Sequence, residues 1–191
     1  MAGTMEHGGR RRRWMVPWSV AALLLLLPLV AMLFTDEMAW DGADFAIMGA
    51  MLFGACGAYE LGARTSGNIA YRVALGILIV TALFLAWISL AAGIIGSEDH
   101  PANLMYGGVL AVAVLGALLV RLRPEGMARA SALTALAQIS AGATALAAGW
   151  GSTGADGPGK LAVLTGIFAL LWLLSAWLFR QAARVQAAGA A

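Results

Sequence analysis

Six apolar runs alternate with short polar stretches along the chain, at residues 18–35, 45–63, 73–96, 101–120, 130–150 and 161–179. None alternates with a period of two, as a half-buried strand would. Each has the roughly 17–25 residues that a membrane-spanning helix needs. The run at 73–96 contains no charged residue. The run at 130–150 is the least apolar, with Ser131, Thr134, Gln138, Ser140 and Thr144 among its alanines. Small and hydroxyl side chains of that kind suit a helix surrounded by other helices. Pro28 falls inside the first run and removes a backbone donor, which predicts a kink. Pro124 is expected to break the chain between the fourth and fifth runs.

Composition turns these runs into a fold class. Of 191 residues, 61% are hydrophobic and 12% charged, against about 45–50% and 25% in a soluble domain. That balance excludes a water-soluble core and predicts an all-α polytopic membrane protein, a six-transmembrane-helix bundle. Residues 17–180 form the expected membrane domain. Residues 1–16 are expected to be a basic, disordered N-terminus and residues 181–191 a tail. The net charge of +2 does not point to nucleic acid, because the basic residues sit at the ends of the apolar runs.

Orientation follows from where the twelve cations lie. With the N-terminus inside, one side collects Arg10 to Arg13, Arg64, Arg72, Arg121, Arg123, Arg129, Arg180 and Arg184, and the other holds Lys160 alone. Cytoplasmic loops carry such an excess, so both termini are expected to be cytoplasmic. Trp14 and Trp18 sit where an interfacial aromatic belt would lie. The first run is longer than a signal-peptide core and no small-x-small site follows it, so a retained helix is expected.

Packing positions come next. Gly49, Gly54 and Gly57, set among alanines in the second run, predict a helix face that neighbours approach closely. Glu60 and Arg64 are spaced for an i,i+4 ion pair. Trp87, Gln138 and Trp172 are expected at similar depth, with Gln138 hydrogen-bonding across helices. No charge falls near the middle of any run, which argues against a proton-coupled carrier. The single cysteine, Cys56, reads as a small buried residue.

The densest group of functional side chains is the polar turn between the third and fourth runs. Glu98, Asp99 and His100 offer two carboxylates and an imidazole, a ligand set for a divalent cation. Asn103 and Tyr106 follow on a face that can look back at the turn. Consecutive ligands cannot all reach one ion, so a metal would need help from Asp36, Glu37, Asp41 and Asp44, expected on the same side with Asp156. The competing reading is a capped connector. Gly96 would end the third helix, Ser97 and Asp99 would cap, and Pro101 would open the fourth. No Ser/His/Asp set, HExxH or phosphate loop occurs, and His7 and His100 fall on opposite sides. No catalytic residue and no cofactor is therefore expected.

The segment Ala86-Trp-Ile-Ser-Leu-Ala-Ala-Gly-Ile-Ile-Gly-Ser-Glu-Asp-His-Pro-Ala-Asn-Leu-Met-Tyr106 resembles one found in an uncharacterised family of small bacterial multi-pass inner-membrane proteins. A weaker resemblance covers Trp172-Leu-Leu-Ser-Ala-Trp-Leu-Phe-Arg180. Asn is common in that family where His100 stands here, which counts against His100 as an essential ligand. The resemblance implies a bacterial inner membrane and transfers no activity.

The function expected from these features is a non-enzymatic accessory or structural membrane component. Its partners are the lipid bilayer and either a membrane protein or a second copy of the chain. The alternatives are a cation or solute transporter or channel with an acidic outer mouth, and a membrane redox or enzyme subunit.

Overall fold

The computed structural model describes residues 6–34, 40–96, 100–150 and 157–189. Among them the chain is helical: α1 (Glu6–Ala31), α2 (Gly42–Ala63), α3 (Ile69–Ala91), α4 (Leu104–Leu119, preceded by a 3-10 turn at Pro101–Asn103), α5 (Pro124–Ala147) and α6 (Gly157–Ala188). The last five, α4 with its 3-10 turn, are long and apolar enough to cross a membrane, whereas the apolar part of α1, Trp18–Ala31, is shorter. The chain divides into two compact units, residues 1–60 and 61–191.

In the first unit, α1 starts at Glu6 and so takes in much of the stretch expected to be disordered. Arginine is a good helix former, and the adjoining apolar turns supply the nucleus. The Trp18 indole stacks on Phe53 at 5.8 Å and donates to a Glu60 carboxylate oxygen at 3.3 Å. The start of α2 shows why it begins before residue 45. Asp41 Oδ1 accepts from the backbone N–H of Ala43 and of Asp44, while Asp44 Oδ2 accepts from Asp41 N–H. This is a reciprocal capping box, and Trp40 packs edge-on against Phe45 at 5.3 Å as its hydrophobic staple.

The second unit is a four-helix arrangement in which α4 and α5, α5 and α6, and α3 and α6 pack together, with a slighter α3–α4 contact closing the ring. Asn68 caps α3, its side-chain oxygen accepting from Ala70 and Tyr71. That moves the helix start from the expected residue 73 to Ile69. Arg72 is therefore inside the helix, and reaches back to the carbonyls of Ala63 and Ser66. The other end also differs from expectation. Helix α3 stops at Ala91 because Gly93 takes the left-handed conformation, φ 66°, three residues before Gly96.

Pro124 opens α5 instead of merely breaking the chain, since a proline in the first turn loses no intrahelical bond. The far end of α5 is a Schellman motif, with Gly149 (φ 69°) donating to Leu146 and Trp150 donating to Ala145. The same motif ends α4, but Arg121 occupies the left-handed position that glycine usually takes, at φ 52°. Helix α6 runs well past the expected Phe179. Phe179 and Ala182 are fully buried, and the Gln186 amide donates to Ser66 Oγ. The expected tail is thus helical through Ala188.

A few contacts fix the register of these antiparallel neighbours. Ser175 bonds to Ala74, and Phe179 meets Tyr71 edge-on at 5.1 Å. A Cβ built on Gly142 would run into Thr165, and one built on Gly116 would stand 3.0 Å from Ala130 Cβ. Counting along the helices at about 1.5 Å per residue, the core falls into levels. Leu85, Tyr106, Gly142 and Thr165 share one level, followed by Thr81, Val109, Gln138 and Ala169. Leu78, Ala113, Ala135 and Trp172 come next, then Ala74, Gly116, Ser131 and Ser175. Tyr71, Met127 and Phe179 close that end. Trp87 lies well away from Trp172 along α3, so the expectation that these two share a depth is corrected. The earlier ends of α3 shift its whole ladder.

Candidate functional site

The α3–α4 turn is organised by Asn103. This residue is buried, and its side-chain oxygen accepts from the backbone N–H of Ile94 at 3.0 Å and of Ile95 at 2.9 Å. Its amide nitrogen donates to the Ile95 carbonyl at 3.3 Å. The two donors it satisfies lie between Gly93 and Gly96, both at positive φ, where the backbone has left the helix and has no ladder to join. Asn103 therefore does look back at the turn, and it serves there as a clamp.

His100 does something different. Its Nδ1 accepts from Ala102 N–H at 3.2 Å, which makes it the cap of the Pro101–Asn103 turn. The same bond requires the ring proton on Nε2 whenever the imidazole is neutral. The ring lies 6.0 Å from that of Trp150, beyond the end of α5. Ser97, Glu98 and Asp99 lie outside the described residues, as do Asp36, Glu37 and Asp156. The proposed carboxylate pair and its capping alternative thus fall there. Asp41 and Asp44 are helix caps, as described above.

Tyr106 points away from the turn into the four-helix unit, where it is 0% exposed. Its hydroxyl lies beside that of Thr165. The contact between the two is at the margin of hydrogen-bond geometry, and neither finds another partner. The turn residues are thereby split. His100 and Asn103 hold backbone, and Tyr106 belongs to the core.

That core contains a group of polar side chains that the sequence indicates only in part. Gln138 is 1% exposed with neither amide atom bonded, which corrects the expectation that it hydrogen-bonds across helices. Its neighbours by level are small or apolar: Thr81 donates to Ile77 within its own helix, and Val109 and Ala169 offer nothing. Trp172 Nε1 and Ser131 Oγ are likewise buried and unpartnered. Thr165 carries little signal in the sequence beyond its spacing of seven residues from Trp172 on the same helix face. Ser175 and Thr134 do bond, to the carbonyls of Ala74 and Ala130.

Within the chain, the glycines differ in how closely their surroundings approach. A Cβ on Gly49 would stand 3.8 Å from Leu25 on α1, whereas nothing lies within 4 Å of one on Gly54 or Gly57. The tight approaches are at Gly62 against Leu75, Gly126 against Val120, and Gly142 against Thr165. At the opposite end from the Asn103 clamp, the Tyr71 hydroxyl donates to the Leu122 carbonyl at 2.8 Å. A surface pocket there is lined by Arg121, Arg123, Arg129 and Glu125 among others. Compared with protein-family models, with curated proteins and with solved structures, the chain matches none.

Proposed function

We propose that the chain is an integral component of a bacterial inner membrane that crosses it six times, with both termini cytoplasmic. It acts without catalysis, by packing against a membrane protein or a second copy of itself. One observation carries this reading. On α5 the usual distribution of side chains is reversed, and α6 carries large apolar side chains on its exposed face as well as its buried one. The buried face of α5 is Ala128, Ser131, Thr134, Ala135, Gln138, Ala141 and Ala145, while its exposed face is Leu133, Leu136 and Ile139. On α6 the exposed residues include Ile167, Leu170, Leu173, Leu174 and Trp177. In water such a surface would be an association patch. In lipid it is the solvated face, and small residues inside are what helix contacts need. The arginine distribution supports the orientation, and the resemblance of Ala86–Tyr106 supports the membrane.

Cysteine labelling tests the topology. In a Cys56→Ala background, a membrane-impermeant maleimide should label Lys160→Cys in intact cells. It should label Glu125→Cys and Ala188→Cys only after the membrane is opened. Labelling of Glu125→Cys and Lys160→Cys from the same side would end the proposal.

A further inference from the structure

We propose that the interior of the four-helix unit, between α4, α5 and α6, binds an uncharged ligand through an oxygen acceptor, held by Gln138 with Tyr106, Thr165 and Trp172. This goes beyond a packing role, and it starts from hydrogen-bond arithmetic. Buried polar side-chain atoms nearly always find a partner, because an unpaired one in a low-dielectric interior is costly. Here both Gln138 amide atoms and the Trp172 indole N–H are buried without one, and the Tyr106 and Thr165 hydroxyls have none beyond their marginal contact with each other. They come from three helices and occupy successive levels of one core.

Gln138 and Trp172 are not satisfied by the Tyr106–Thr165 pair or by each other. Thr165 and Trp172 are seven residues apart on α6, about 10 Å along its axis, with Gln138 at the level between them. An indole N–H can only donate, and the Gln138 amide brings two further donors and one acceptor. The group is therefore richest in donors at its Trp172 end. What completes it must accept there and can exchange hydrogen bonds with the two hydroxyls at the Tyr106 end. It must also be uncharged, since no acidic, basic or histidine side chain is among the buried residues described in this unit. It must be slim as well, because Gly142 is already closed against Thr165. A short file of water molecules offers this chemistry, and so does the carbonyl of a small lipid-soluble compound.

The test uses the full chain, purified in mild detergent, with Gln138→Met and Thr165→Val, which remove the polar atoms and keep the volume. A shared ligand makes each variant lower Tm by about 2–4 °C or more. The double variant should then lose less than the two together, because both lose the same occupant. The 15N signal of the Trp172 indole, assigned through Trp172→Phe, should move in the Gln138→Met protein although the two side chains are not bonded to each other. Native mass spectrometry separates the sources. A mass held by the wild type and absent from Gln138→Met identifies a carbonyl compound, whereas no held mass with the other effects intact identifies water. Removing a polar group that truly has no partner relieves its burial, so unchanged or raised Tm in both variants would overturn the proposal. So would additive losses with an unmoved Trp172 signal, which mean separate direct partners.

Discussion

The Ser175 hydroxyl donates to the backbone carbonyl of Ala74 at 2.9 Å, across 101 residues of sequence, and both groups are buried. This bond ties the last helix to the first helix of the four-helix unit, one turn from the Tyr71–Phe179 ring contact. Ala74 also supplies its carbonyl to the α3 helix, so losing the serine does not orphan it. Ser175→Ala should therefore cost only about 0.6–1.5 kcal/mol. Denaturant titration in mixed micelles would measure it. A loss above about 3 kcal/mol would show that the carbonyl depends on the serine after all.

Two neighbouring glycines should respond in opposite directions. Gly142→Ala pushes a methyl group into Thr165 and should destabilise by about 1–3 kcal/mol, the range for an overpacked core. Gly166→Ala, on the exposed face of α6 with nothing within 4 Å, should stabilise by about 0.5–1 kcal/mol through helix propensity. Comparing the two melting temperatures is sufficient. If Gly142→Ala is neutral, the close approach of α5 and α6 is not there.

The α3–α4 turn should separate its two polar holders. Asn103→Ala leaves the buried N–H groups of Ile94 and Ile95 without an acceptor, at about 1–3 kcal/mol for each group. His100→Ala loses one cap bond and should cost about 1 kcal/mol. His100→Asn should hold near wild-type stability, because an asparagine oxygen can accept the same N–H. Stability curves for the three proteins check the order; His100→Asn behaving like Asn103→Ala would contradict it.

Gly54 and Gly57 should matter between molecules and not within one, since a side chain added at either meets open space. The double variant Gly54→Leu/Gly57→Leu should keep the wild-type melting temperature yet lose cross-linked dimer in vesicles. Wild-type protein that stays monomeric at every protein-to-lipid ratio would remove self-packing as the role of this face.

Long helices were legible because apolar runs bounded by arginines have few other solutions. Their ends were less so. Gly93 and Gly96 are equally able to leave the helix, and only the Asn103 clamp decides that the chain turns at the first. Asp41 and Asp44 read as an acidic loop because carboxylates advertise charge before they advertise capping. Polar residues of the core were half visible: Gln138 stands out in a hydrophobic run, but Thr165 does not. Which of them face one another depends on the register of α5 on α6, and Gly142 sets that register through a contact with no signature of its own.

Helix α5 is the least apolar of the five helices long enough to cross a membrane, and its polar face is covered chiefly by α6 and α4. During synthesis α4 is already made when α5 emerges, but α6 is not. A lone α5 would present Ser131, Thr134 and Gln138 to hydrocarbon before their cover exists. On the six-span reading proposed above, α5 and α6 are then expected to enter the bilayer together as a hairpin. Truncation before Gly157 should thus leave a chain far less stable than five complete helices out of six would suggest, because α6 covers both α5 and α3.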